Sequence, residues 1–464
     1  MKTGISRTNI NNIVLILISL YLCSYYSILK ENEKRSAISS RATSRRGKVR
    51  KPWSYVDDIL SDRQFRRMFR MTRECFDLLV DKIKISIGEK RFKSESYIDC
   101  FLNHPGQMQY ANVRTTGGFI SGETKLGITL RLLAGGDALD LGLIFDISSN
   151  WCLVILYEVL QEWLVDTKIG GIDIKSYLNN EDAMAAVSEG FSKRSNGVLK
   201  GAIGALDGWL VRIQRPSYYF DKITNPVAFF SRKGFYALNV QCIVDHNKKI
   251  LWASYKHKGG SHDSTAFRNG KLYEVLKEKA QYLSDKEYFI LGDSAYAIES
   301  FLIPPYPLAK PNTPEDNFNF YHSSARITVE CAFGEIDLRW GIFWKRLKYA
   351  LTNNFLIIEG AMRIHNFLVD YRNNELEDIR TDLSEDFAAF VSDNTDDDAI
   401  VPGVILNDNC RPSGRISDDE RTRRNKGIEI RDKLKLSLAD HNMHRPKANK
   451  SWSVDENNHT IRNE

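Results

Sequence analysis

The hydrophobic period of this chain changes at Gly201, and that change limits the folds open to it. Upstream, Phe76, Leu79, Val80 and Ile83 recur at three- and four-residue intervals, the spacing of one helix face, with Thr72 placed to cap it. Downstream the period becomes two. An apolar run, Ala202 to Leu206, is followed by Asp207-Gly208 and then by Trp209, Val211 and Ile213 in alternation. Phe235 to Val244 (FYALNVQCIV) is rich in β-formers, Asp245 to Lys249 reads as a turn, and Ile250 to Tyr255 returns as its hairpin partner. Ser261 to Ala280 reads as a capped turn entering a helix. Tyr288 to Leu291 is a buried strand ending at Gly292-Asp293-Ser294, and Ser323 to Trp340 is helical after a proline-rich loop.

Strand, hairpin strands, helix, strand, helix is the layout of an α/β domain of the ribonuclease-H-like kind. In that layout three acids occupy telling places: Asp207 at the end of the first strand, Asp293 just after the later buried strand, and Glu330 within the helix. Hard divalent cations take oxygen ligands, usually one or two carboxylates with water and phosphate. Two such ions about 4 Å apart serve in-line phosphoryl displacement. Alone, Asp-Gly and Gly-Asp-Ser are ordinary turn sequences, and Glu330 could simply pair with Arg326 four residues before it. Ile327, Phe333 and Gly334 share the Glu330 face, however, and a carboxylate on an apolar face needs compensation, such as a bound cation.

The helical region from Trp53 to about Ala186 contains a helix-turn-helix-like run. A helix around Leu126 to Ala134 ends at Gly135-Gly136, and a short one spans Ala138 to Phe145. A turn at Asp146 to Ser149 leads to a longer helix reaching about Trp163. That last helix (WCLVILYEVLQEWL) holds no Lys or Arg, so it reads better as a core helix than as a base reader.

The 65 basic and 59 acidic residues, net +6, exclude a histone-like tail protein and little else. Seven cysteines form no CxxC pair, which argues against a zinc ribbon or disulfide scaffold and for a reducing compartment. Thr8 to Leu29 carries no charge and reads as a signal-anchor, a core helix or a start codon assigned too far upstream. Arg41 to Lys51 has six basic residues and no acid, suiting nuclear import, phosphate contact or the flank of a span. Glu375 to Asp398 holds ten acids and one base, the pattern of a solvated segment, and Arg421 to Leu438 suggests a basic amphipathic helix.

These blocks together resemble the DDE-type transposases of the PIF/Harbinger superfamily and the domesticated Harbinger transposase-derived nucleases. GALDGWLVRI (Gly204 to Ile213), GGSHDSTAFRN (Gly259 to Asn269), GDSAY (Gly292 to Tyr296), ARITVECAFGEIDLRW (Ala325 to Trp340) and RIHNFLVD (Arg363 to Asp370) carry the likeness. FRMTRECFDLLV (Phe69 to Val80) and LRLLAGGDALDLGLIFDIS (Leu130 to Ser148) extend it over roughly Ser40 to Asp370. The resemblance implies that Asp207, Asp293 and Glu330 form a DDE triad binding Mg²⁺ or Mn²⁺, that the activity is two-metal DNA cleavage, and that the location is nuclear. It also implies DNA as a partner and a separate Myb/SANT-like DNA-binding protein, with a homo-oligomer or a silent chromatin-interaction protein as further possibilities. The expected divisions are a hydrophobic segment at 1–40, a helical region at 41–190, a nuclease domain at 191–372 and a flexible tail at 373–464.

Weaker candidates remain. His262 and Asp263 either cap the next helix or approach the metals. Arg326, Arg339, Lys345 and Arg346 are candidate phosphate contacts. Lys222, Arg232 and Lys233 lie among Tyr218, Tyr219, Phe220, Phe229 and Phe230, a pattern that suits unstacked nucleic acid or a packed insertion. His365-Asn366 reads as a satisfied core pair.

Overall fold

Ser61 opens the first long helix with a capping box. Its hydroxyl accepts from the Gln64 amide at 3.4 Å, and Gln64 Oε1 accepts from the Ser61 amide at 2.9 Å. This is α1 (Asp62–Phe69), followed by α2 (Arg73–Ile87), capped at Thr72 as expected. Trp53 stacks on Phe76 at 4.8 Å and meets Phe65 and Phe69 edge-on or tilted, each ring pair adding about 0.5–1.5 kcal/mol beyond its burial. The computed structural model describes residues 51–87, 120–165, 169–371, 417–441 and 443–446, with a small strand pair at 453–454 and 460–461. The hydrophobic segment, the basic stretch before Lys51 and the acidic segment Glu375 to Asp398 lie outside the described residues.

Next come α3 (Gly122–Leu133), α4 (Ala138–Ile144) and α5 (Ser149–Val165), with α4 and the start of α5 crossing at 101°. The three helices and the turn fall where the sequence reading places them. The last helix, however, is core: Cys152, Ile155, Leu156, Val159 and Leu160 are fully buried, packed against α3 and against α9 (Leu351–Asp370). Among its described residues the apolar face is taken up by this packing, as the lack of Lys and Arg in the helix suggests. Among the described residues no single helix is long and apolar enough to cross a membrane.

α6 (Glu181–Arg194), capped by Asn180, packs on β1 and delivers the chain into the sheet. β1 (Ala202–Arg212), β2 (Ala237–Val244), β3 (Ile250–Lys258), β4 (Phe289–Leu291) and β5 (Leu302–Ile303) form one mixed sheet in the order β3-β2-β1-β4-β5. β2 runs antiparallel to β1 and β3, whereas β4 and β5 run parallel to β1. α7 (Asp263–Arg268) follows β3, and α8 (Pro314–Arg339) follows β5 and lies against β1. This mixed α/β arrangement is consistent with a ribonuclease-H-like endonuclease domain. One continuous core joins the N-terminal helices to the sheet, from Phe65 through Leu156 and Val240 to Phe367.

The expected core pair in α9 is realised with a backbone partner. Asn366 accepts from the Ile250 amide and donates to its carbonyl, both at 2.8 Å, so its side chain stands in for a strand neighbour at the start of β3. His365 Nε2 lies 2.8 Å from the Lys248 carbonyl.

Three expectations fall short. β5 falls in the stretch that reads as a proline-rich loop, because two residues beside prolines give no alternation to detect. α8 begins nine residues before Ser323, at Thr313 and Pro314, a cap and first-turn proline. The segment expected to be a flexible tail contains α10 (Asp418–Asp440), which is docked against β5 and α8. Arg423 reaches Glu299, 1% exposed, at 3.1 Å, Lys435 pairs with Glu315 at 3.0 Å, and Arg431 lies 4.1 Å over the Tyr306 ring. Gly427 has no side chain because a Cβ there would sit 2.4 Å from the Glu299 carbonyl.

Candidate active site

Asp207 lies within β1 rather than at its end. Trp209 and Val211 keep the strand's alternation and burial, so the ladder with β2 continues through the Asp207–Cys242 and Gly208–Gln241 pairs to Arg212–Ala237. An Asp-Gly dipeptide that locally resembles a turn is held extended by its neighbours on both sides.

The parallel pairing of β1 with β4 places the second acid. Ala205 pairs with Leu291, and two residues beyond each lie Asp207 and Asp293. Two residues is one strand repeat, so both carboxylates leave the sheet at the same end. Asp293 Oδ1 accepts from the Ala295 amide at 2.7 Å, which fixes the turn after β4.

Glu330 is tied in through a cation. Arg326 donates to Asp207 Oδ2 at 2.7 Å and to Glu330 Oε1 at 2.6 Å, so one guanidinium spans the two acids. The sequence expectation of an apolar Glu330 face is corrected: its side chain and Ile327 are about half exposed, and Gly334 faces solvent. Of the residues periodicity assigns to that face only Phe333 is buried, stacked on Trp209 at 5.7 Å, so the face is split between core and solvent. Arg326 supplies the compensation assigned to a metal.

Sequence placed Asp263 as a cap or a metal neighbour. It caps nothing: it is the first residue of α7, after His262, which makes no side-chain cap bond. Its buried carboxylate points at β2, accepting from Asn239 Nδ2 at 2.8 Å and Gln241 Nε2 at 2.9 Å. Gly208 makes room, since a Cβ there would lie 2.3 Å from Asp263 Oδ1. Gln241 Oε1 accepts in turn from the Tyr296 hydroxyl at 2.7 Å, and Arg232 lies 3.6 Å from the far carboxylate oxygen. Asn239, Gln241 and Tyr296 were not singled out from sequence. Two amides inside an otherwise apolar strand were the available signal, because buried amides need partners.

Electrostatics bind these groups into one site. Burial above all, then repulsion from Asp293 and Asp263, pushes the Asp207 carboxyl up to about 6, against the pull of Arg326 and the Gly208 amide. Burial, with the charges of Asp263, Asp207 and Asp293, pushes the Tyr296 hydroxyl well above its ordinary range, so it remains a donor. Further along α8, burial pushes Asp337 up to about 7, opposed by a hydrogen bond from Trp209 and by Arg212 and Lys233.

The donor set is all oxygen, as a hard divalent cation requires. Among the described residues, though, no three acidic, His or Cys groups stand close enough to hold an ion, because Arg326 occupies the gap between Asp207 and Glu330. Of the other candidates, Arg339 is buried and donates to the Arg70 carbonyl at 2.8 Å, a structural duty, whereas Lys345 and Arg346 are exposed.

Residues 206–366, which include Asp207, Asp293 and Glu330, match the DDE superfamily endonuclease family. Over 329 residues the chain is 22% identical to Protein ALP1-like of Arabidopsis thaliana, covering 68% of this chain and 72% of that one. Over 180 residues it is 23% identical to HARBI1 of Mus musculus, a nuclease by name, covering 37% of this chain and 47% of the other. The chain is thus similar to Harbinger-type, DDE-transposase-like proteins. No solved structure matches it significantly. The DDE superfamily endonuclease domain begins one residue before Asp207 and ends at Asn366, the residue that holds the start of β3.

Proposed function

We propose that this chain is a metal-dependent DNA endonuclease of transposase origin, with Asp207, Asp293 and Glu330 as its catalytic carboxylates. One observation carries the reading: within the matched domain, strand register sets Asp207 beside Asp293, and Arg326 joins Asp207 to Glu330. Asp207 and Asp293 are the residues that would hold Mg²⁺ or Mn²⁺, with Glu330 joining them once Arg326 turns away. The cation would neutralise charge on the phosphate undergoing displacement, in the two-metal form of this chemistry. Arg326, released from the carboxylates, is then placed to pair with a phosphate oxygen. Asp263, fixed by two amides, keeps the opposite wall of the site in register.

A second reading has an observation of its own. Arg326 neutralises two of the three acids and no three-ligand group is formed, which suits a silent protein that keeps the fold to bind DNA or chromatin. Incubating supercoiled plasmid with Mg²⁺ or Mn²⁺ separates the two readings. The nuclease reading expects nicking by the wild type and none by Asp293→Ala. If neither cuts while both bind DNA equally, the nuclease reading fails and the binding-protein reading stands.

The proposal carries with it a nuclear location, the division into a helical region at 41–190 and a nuclease domain at 191–372, and a Myb/SANT-like partner that supplies the base readout α5 lacks. Imaging a tagged full-length chain tests the location, and a membrane-bound signal would overturn it in favour of an anchor at residues 8–29.

A further inference from the structure

β1 leads from the carboxylates directly to a basic, aromatic surface that the endonuclease reading does not use. Arg212 closes the strand five residues beyond Asp207, about 17 Å away at strand rise. Past it, the chain runs beside a second basic segment. The Leu347 amide donates to the Arg212 carbonyl at 3.0 Å and the Gln214 amide to the Leu347 carbonyl at 2.7 Å, so Arg212 and Arg215 lie alongside Lys345, Arg346 and Lys348. All five are exposed.

The excursion between β1 and β2 completes the surface. Tyr218, Tyr219 and Phe220 stand 59%, 83% and 75% exposed on one short turn of helix, with Lys222 5.9 Å from the Tyr218 ring. Asp221, the only acid in residues 212–236 and 344–349, is spent internally on the Ser217 and Leu351 amides, at 3.0 and 2.8 Å. The Leu351 bond also ties the aromatic turn to the end of the second basic segment. Arg232, on the same excursion, reaches back to Asp263 at 3.6 Å.

Three neighbouring exposed rings are costly in water unless a partner covers them, and the charge around them calls for a polyanion. Paired bases hide their faces inside a duplex, whereas an unpaired strand offers a π-face at every base. We infer that this surface is a platform for single-stranded DNA, in which Tyr219 and Phe220 stack on unpaired bases while Lys345, Arg346 and Arg215 hold the backbone. The inference rests on the endonuclease reading for the strand's origin, as the flank of a DNA end seated at Asp207.

Fluorescence anisotropy in EDTA tests the platform without cleavage, using a blunt duplex and the same duplex with a single-stranded oligothymidine overhang. The full-length wild type is expected to favour the overhang. Tyr219→Ala/Phe220→Ala should lose that preference by about fivefold or more, with blunt-duplex affinity unchanged. Lys345→Gln/Arg346→Gln should weaken both ligands and lower the log–log salt slope by about 1.5. All four residues are exposed, and matching thermal melts exclude misfolding. An aromatic variant that binds the overhang like the wild type overturns the platform and marks the rings as a protein contact. Plasmid nicking is scored separately: nicking without overhang preference sinks the platform alone, and preference without nicking sinks the nuclease reading alone.

Discussion

Two walls flank Asp207, and they are built on opposite principles. On the β2 side, Asp263 is buried and held by the Asn239 and Gln241 amides, with Tyr296 closing the network. On the α8 side, Glu330 is half exposed and held by Arg326 alone. The first wall has one arrangement, because removing any member strands a buried polar group. The second yields on its Glu330 side, where solvent replaces what Arg326 releases, whereas Asp207, 17% exposed, needs another cation in its place. Under the proposed nuclease function, a site that admits a cation and a phosphate needs one wall that stays and one that yields.

The largest test of this contrast is chemical. Asp293→Ala should abolish plasmid cleavage while leaving DNA affinity near that of the wild type, and measurable residual cutting would remove Asp293 from the catalytic set. Next is Gln241→Leu, which leaves Asp263 short of a donor and the Tyr296 hydroxyl without its acceptor. It should cost about 3 kcal/mol in urea unfolding. Arg326→Gln should cost less by the same measurement, about 1–2 kcal/mol, because half-exposed Glu330 is solvated on its release while the mostly buried Asp207 loses its partner. Comparable losses from the two substitutions would erase the distinction between a fixed and a yielding wall.

Two smaller effects depend on pH. Protons and cations compete for Asp207, whose carboxyl titrates near 6, so Mn²⁺ affinity should fall as pH drops through that value. Titrating the intrinsic tryptophan fluorescence with Mn²⁺ one unit above and below it reads the effect, and equal affinities would argue against Asp207 as a ligand. Asp337 lies outside the two walls and titrates near 7 in the fold. Its native form keeps a proton that the unfolded chain releases near 4, so its contribution weakens stability as pH rises between those values and is constant above them. Asp337→Asn should therefore gain stability over the wild type across that window, by up to roughly 4 kcal/mol at the alkaline end. Paired melts at several pH values check this, and parallel curves would refute it.

How far the site could be read from sequence follows from how local each cause is. Gly-Asp-Ser after a buried strand located Asp293, because strand and turn lie within a few residues of each other. Asp207 was found but placed at a strand end, since only pairing with both β2 and β4 shows that β1 passes through it. Glu330 was found with its face misjudged, since spacing does not reveal which side of a helix is covered. The Asp263 network was invisible as a unit because its members come from β2, α7 and the turn after β4. α10 was recognised as a helix, but its docking depends on ion pairs such as Arg423–Glu299, made across 124 residues of sequence.

That docking bears on what a shortened chain would be. A transcript ending soon after Asp370 would still encode all three acids and the whole matched domain, and so would look like a smaller working copy. It would lack the Arg423 guanidinium, leaving the buried Glu299 only Arg268 at 3.7 Å and the Tyr273 hydroxyl at 3.1 Å, and it would lack the helix that packs on β5. Such a product is expected to be a substrate for proteolysis and aggregation. α10 lies outside the matched domain and is nonetheless part of what keeps that domain folded.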